Sequence, residues 1–147
     1  MWKKVILSCG LLLFVAGRAW SVDNPVMKAG ASSQEKAAIT SADQWLAEVD
    51  NMRYAASWNT ASQFFKLMVP REQWTIQIQD ARSVFGNLVY RKLEGKKYAQ
   101  DLPGAPDGEY YVLTYRAAYA EKAVAIETVT VRKEKDGRWH VAGYYIH

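Results

Sequence analysis

Ala123-Val124-Ala125-Ile126-Glu127-Thr128-Val129-Thr130-Val131-Arg132-Lys133-Glu134, then Lys135-Asp136-Gly137, then Arg138-Trp139-His140-Val141-Ala142-Gly143-Tyr144-Tyr145-Ile146 reads as strand, turn and strand. β-Branched and aromatic residues recur here with a period of two, the repeat of side chains on a pleated strand. Asp136-Gly137 is a two-residue hairpin signal, because both turn positions tolerate positive φ. The same period runs back towards Gly86 and predicts two further strands, Leu88–Tyr98, with Gly95 marking a bulge, and Glu109–Tyr119. The turn-rich run Leu102-Pro103-Gly104-Ala105-Pro106-Asp107-Gly108 joins them.

Before Gly86 the period is helical. Ser32 and Glu35 have the form of a capping box, and Ala38, Ala42, Trp45, Leu46 and Val49 then follow at helical spacing to about Asp50. Tyr54, Trp58, Ala61, Phe65 and Met68, widened by Phe64, predict a second helix with a broad aromatic face. Pro70 suits the first turn of a third helix carrying Trp74, Ile78, Ala81 and Phe85, with Gly86 as its left-handed stop. Three N-terminal helices and a four-stranded antiparallel meander predict an α+β domain whose helices cover one sheet face.

The chain starts with Met1-Trp2-Lys3-Lys4, an apolar run from Val5 to Gly17, and Arg18-Ala19-Trp20-Ser21. A basic start, an apolar segment too short to span a bilayer and small residues at Ala19 and Ser21 predict a signal peptide over residues 1–21, cleaved near Ser21/Val22. The expected organisation is that signal peptide, a flexible leader over 22–31 and a single domain over 32–147. The protein is thus expected to be periplasmic or secreted, with no membrane span after cleavage. Cleavage leaves 126 of 147 residues, one domain's worth. Lys3, Lys4 and Arg18 leave with the signal, so the formal net charge of +4 falls to +1, sixteen basic against fifteen acidic residues. A nearly neutral chain whose basic groups lie along strands and hairpins is not the footprint of a nucleic-acid binder. Cys9 is the only cysteine and sits in the apolar run, so the mature chain is expected to have neither disulfide nor thiolate metal site.

Trp45-Leu46 with Asp50 and Tyr54, Ser57-Trp58, Ala81-Arg82 through Phe85-Gly86, Leu102-Pro103-Gly104 with Pro106-Asp107-Gly108, Glu127-Thr128-Val129-Thr130, and Asp136-Gly137 leading into Trp139 and Val141 to Ile146 carry a further reading. In that order they resemble the bacterial exported family catalogued as domain of unknown function 4019, from about Ala37 to the C-terminus. The chain departs from the family form at Ser83-Val84-Phe85-Gly86, where a Pro-Leu before the glycine is expected. The resemblance implies the fold and export and no particular activity. The order of helices then curved sheet is also similar to the nuclear-transport-factor-2-like cone, which hosts both enzymes and binding modules.

No residue pattern specifies a chemistry. Only His140 and His147 are present, without metal-ligand spacing, so no metal is expected. There is no nucleophile elbow and no phosphate loop, and no cofactor is expected. Glu127 is the one candidate catalytic residue. If its strand face is the core, it needs a partner such as Arg82, Arg91 or Arg116, or it carries a raised pKa suited to proton transfer. If Val124 and Ile126 form the core face instead, Glu127 lies in water on an edge strand, and this second arrangement is the expected one. The remaining signal is aromatic density. Adjacent Tyr110 and Tyr111, like Tyr144 and Tyr145, face opposite ways, so some rings should be exposed. Trp58, Arg82, Tyr115 and Trp139 are the candidate ligand-binding residues. The expected function is a non-catalytic module that binds a peptide, a protein partner or an apolar ligand through the aromatic face or the Leu102–Gly108 loop. The alternatives are a small hydrolase or isomerase using Glu127, with Arg82 or Tyr115 as helper, and a structural envelope assembly factor.

Overall fold

The computed structural model describes residues 25–147, with side chains from residue 33 onward. The signal-peptide segment 1–21 lies outside the described residues. Four helices, α1 (Pro25–Asp50), α2 (Tyr54–Thr60), α3 (Gln63–Met68) and α4 (Arg71–Ser83), precede four strands, β1 (Leu88–Ala99), β2 (Tyr110–Tyr119), β3 (Lys122–Lys133) and β4 (Trp139–Ile146). The strands form one open antiparallel meander in the order β1-β2-β3-β4, so the expected α+β architecture stands.

Three details of the helices differ from the sequence expectation. α1 begins at Pro25 rather than at Ser32, so part of the 22–31 leader is helical. Pro is well placed in a first helical turn, and the alanines that follow are strong helix formers, so the Ser32–Glu35 pair falls inside the helix. The second expected helix is two, broken at Ala61-Ser62. Ser62 is buried, donates its N–H to the Val141 carbonyl at 2.8 Å and accepts the Phe65 amide on its hydroxyl at 3.0 Å. It thus caps α3 while occupying the β4 backbone, a tertiary contact invisible to helical periodicity. Finally, α4 stops at Ser83, with Gly86 beyond it at φ +73°.

The β3–β4 turn is also longer than a two-residue hairpin. Gly137 is at φ +78° and Asp136 is not at positive φ; the Gly137 amide bonds Glu134 O and the Glu134 amide bonds Arg138 O. A three-residue loop with glycine at the left-handed position fits this pattern.

Trp45, Leu46, Val49, Phe65, Trp74 and Ile78 from the helices meet Leu113, Val129, Val131 and Val141 from the sheet in one core. Bulges decide which strand residues join them. β1 shifts register between Leu88 and Tyr90 and again between Leu93 and Gly95, and β4 shifts opposite Thr130/Val131. Each extra residue reverses the alternation, so Trp139 and Val141 face the helices before the β4 bulge and Tyr144 and Ile146 after it. The β1 bulges likewise bring Arg91, Leu93 and Lys96 to the helix side.

Candidate functional site

Where α1 ends and α4 ends, the covered sheet face carries charge instead of hydrocarbon. Asp50 is the last residue of α1 and Arg82 lies in the last turn of α4. Arg91 comes from β1, Tyr119 from the end of β2, Glu127 from the middle of β3 and Tyr144 from β4. Glu127 is 0 % exposed, which corrects the expectation that it lies in water. β3 is an inner strand, and Ala125, Val129 and Val131 are the core residues of its face, while Val124 is 54 % exposed.

The Glu127 carboxylate is enclosed by donors. Its Oε1 accepts from the Tyr119 and Tyr144 hydroxyls, each at 2.6 Å, from Arg91 Nη2 at 3.1 Å and from Arg82 Nη1 at 3.2 Å. Its Oε2 accepts from Arg91 Nε at 2.5 Å. Asp50 completes the network: Oδ2 accepts from Arg91 Nη1 at 2.6 Å, and Oδ1 from Arg82 Nη2 at 2.7 Å and Arg91 Nη2 at 3.0 Å. Two guanidiniums and two carboxylates balance in charge, and of the expected partners Arg82 and Arg91 are both present. Arg116 instead pairs with Glu94 at 2.9 Å, with both side chains substantially exposed.

Burial shapes the titration of this group. It pushes the Tyr144, Tyr119 and Tyr115 phenols up from their ordinary value, reinforced by Glu127 for the first two and by Asp43 for Tyr115. These phenols therefore stay neutral donors at ordinary pH. Burial works against the charge on Arg82 and Arg91. The neighbouring tyrosines and Asp50 outweigh it at Arg82, and Asp50 and Glu127 outweigh it at Arg91, so both guanidiniums are held charged.

Chemically, this arrangement is a sealed neutral network. A general base needs an oxygen that a substrate can reach, and Glu127 is closed to solvent with strong donors on both oxygens. Solvent reaches only its outer margin. There, α1 and β1 stand apart around an open cavity of about 360 Å³, lined by Asp43, Ala47, Asp50, Arg91, Leu93 and Tyr115. Tyr115 donates its hydroxyl to Asp43 Oδ1 at 2.8 Å across that space.

The four residues expected to bind a ligand divide. Tyr115 lines the cavity and Arg82 lies behind it in the network. Trp58 is half-buried elsewhere, donating its indole N–H to the Val69 carbonyl at 2.7 Å. Trp139 packs on Tyr111 and donates to Gln34 Oε1 at 3.1 Å, beside the first half of α1. The Leu102–Gly108 loop folds over Tyr110, whose hydroxyl bonds the Pro106 carbonyl, while Arg132 Nη2 reaches Asp107 O at 3.3 Å. Tyr110 and Tyr111 are consequently both buried, one under the loop and one in the core. Asp43, Asp50 and Arg91 also line the cavity and lie outside the set of four expected from the sequence. Asp43, Ala47 and Asp50 at steps of four and three on α1 share one helix face, and that spacing was their only available signal.

Among the described residues no group of acidic, histidine or cysteine side chains could hold a metal ion, and no helix is long and apolar enough to cross a membrane. No curated protein and no solved structure matches the chain. One family does: the profile described as protein of unknown function (DUF4019) matches residues 41–144, a span that begins on α1, ends on β4 and includes every residue of the network and of the cavity. The chain belongs to the DUF4019 family.

Proposed function

We propose that this protein is a non-catalytic binding module of the bacterial envelope, holding a small ligand or a side chain of a partner in the cavity between α1 and β1. The observation that carries the reading is the contrast between an accessible cavity and an inaccessible acid. The cavity, at about 360 Å³, is within the range of small-ligand sites, and its walls are prearranged because Asp50 and Arg91 are locked by the network. Glu127, the group an enzyme would need, is 0 % exposed behind those walls. Export supports the same setting: the Lys3-Lys4 start, the apolar run and Ala19-Trp20-Ser21 predict a mature chain starting near Val22.

Ala47 offers the test, because it lines the cavity from an exposed helix position where a larger helix former is tolerated. The mature protein and its Ala47→Leu variant are isolated from an envelope fraction, and co-purifying material is compared by mass spectrometry. A species held by the wild type and missing from an equally stable variant is the expected result. Identical profiles would reject the cavity as the site. Turnover of any ester or peptide probe that vanishes in a folded Glu127→Gln variant would reject the non-catalytic reading in favour of the hydrolase or isomerase. Intact mass should place the N-terminus near Val22, and a full-length cytoplasmic chain would remove the envelope assignment.

A further inference from the structure

Ligand class follows from charge, and here the balance around the cavity does not close. Asp50 and Glu127 are matched by Arg82 and Arg91. Glu35, on the same helix, is matched by Lys96. Asp43 is not: it receives the Tyr115 hydroxyl, a neutral donor, and among the described residues no cation pairs with it. Asp43 is exposed, and the wall beside it contains Leu93 and Ala47, which offer hydrocarbon.

We propose, resting on the binding reading above, that the cavity takes an alkylammonium group, with the cation at Asp43 and the stem along Ala47 and Leu93. The alternative guest, an anion drawn by Arg91, meets two obstacles. Arg91 commits Nε to Glu127, Nη1 to Asp50, and Nη2 to Asp50, Glu127 and Tyr119, which leaves at most one N–H on Nη1 for a new acceptor. The anion would also sit beside Asp43 and Asp50, whereas an ammonium neutralises the surplus charge. The same chemistry belongs to a lysine side chain of a partner and to a free small amine.

The experiment follows the Leu93 methyl resonances of the mature protein by NMR at fixed ionic strength. The probes are n-butylammonium, butyrate, 1-butanol and the peptide acetyl-Ala-Lys-Ala-amide. Saturable shifts with butylammonium or the peptide, at affinities at least about tenfold above butyrate and butanol, are expected. Tighter binding of the peptide assigns the site to a partner's lysine, and tighter binding of butylammonium assigns it to a free amine. Asp43→Asn keeps an acceptor for Tyr115 while removing the charge, and should weaken the cations about tenfold with butanol unaffected. Should that variant fail to fold, Ala47→Leu should abolish the cation shifts by filling the space. Equal or tighter binding of butyrate or butanol overturns the cation assignment and leaves the binding reading in place. No saturable shift with any probe overturns both.

Discussion

Two halves of the same covered sheet face are built on opposite principles. In one, Trp45, Phe65, Trp74 and Tyr144 pack ring against ring, with centroids 5.1–6.3 Å apart. In the other, Arg82, Arg91, Asp50 and Glu127 are joined by ion pairs and hydrogen bonds. Tyr144 belongs to both, its ring among the tryptophans and its hydroxyl on Glu127. The aromatic half gains from every apolar atom it buries, and a lost atom costs in proportion to the cavity left behind. The ionic half has no such gradation. Desolvating four charges is costly, the mutual pairing offsets that cost, and a single missing partner leaves a buried charge exposed to the full penalty.

The largest expected effect tests that contrast. Glu127→Ala leaves two guanidiniums facing each other and should destabilise by about 3–5 kcal/mol. Combining it with Arg82→Met should recover part of the loss, because Arg91 and Asp50 then remain as a matched pair. Chemical denaturation of the two single variants and the double variant decides it. A double variant that loses as much as the two single changes added together would mean that the ionic half behaves like ordinary packing. Trp74→Ala is the reference for the other half: its cost should be about 3–5 kcal/mol too, but with no partner substitution that restores it.

The second prediction uses the shared residue. Tyr144→Phe keeps the ring against Trp45 and Trp74 and removes one charge-assisted donor from Glu127, at about 1.5–3 kcal/mol. The variant should also change the alkaline limb of the stability profile. Tyr144 is held above its ordinary value by burial, then by Glu127, so the unfolded chain ionises first. That stability is therefore intact below about pH 10 and lost as pH rises towards the folded value. Denaturation midpoints between pH 9 and 11 should fall less steeply for the variant than for the wild type. Parallel slopes would show that the hydroxyl is not the group being ionised.

The aromatic half was far more legible in the sequence than the ionic half, for a physical reason. Apolar periodicity locates strands and helix faces, so Trp45, Leu46, Trp74 and Ile78 follow from their spacing. The ionic half depends on three bulges and two helix ends. Strict alternation from Trp139 would put Tyr145 inward, and only the bulge before Gly143 turns Tyr144 to Glu127. Val124 and Ile126 offered an equally apolar face for β3, and nothing local shows that Arg82 and Arg91 converge on Glu127 from elements 45 and 36 residues away. The Asp43 cavity was less legible still, because it is defined by what α1 and β1 leave unfilled.

The smallest expected effect lies at the seam where α1 delivers Asp50. The Met52 amide bonds Val49 O at 3.0 Å and the Arg53 amide bonds Glu48 O at 2.8 Å, the paired C-terminal bonds of a Schellman stop. Met52 occupies its left-handed position at φ 59°, where glycine is favoured, and its side chain is 68 % exposed. Relieving a strained left-handed residue gains about 1–2 kcal/mol, and the greater freedom of glycine in the unfolded chain takes back about 0.4–1 kcal/mol. Met52→Gly should thus stabilise by a few tenths to about 1 kcal/mol, measured as a rise in melting temperature. Repeating it in the Glu127→Ala background sharpens the comparison. An equal gain there means that the stop acts locally, as distant independent changes do. A gain that disappears with Glu127 means that the stop acts by holding Asp50 for the two arginines, so that the ionic half extends into the backbone of α1.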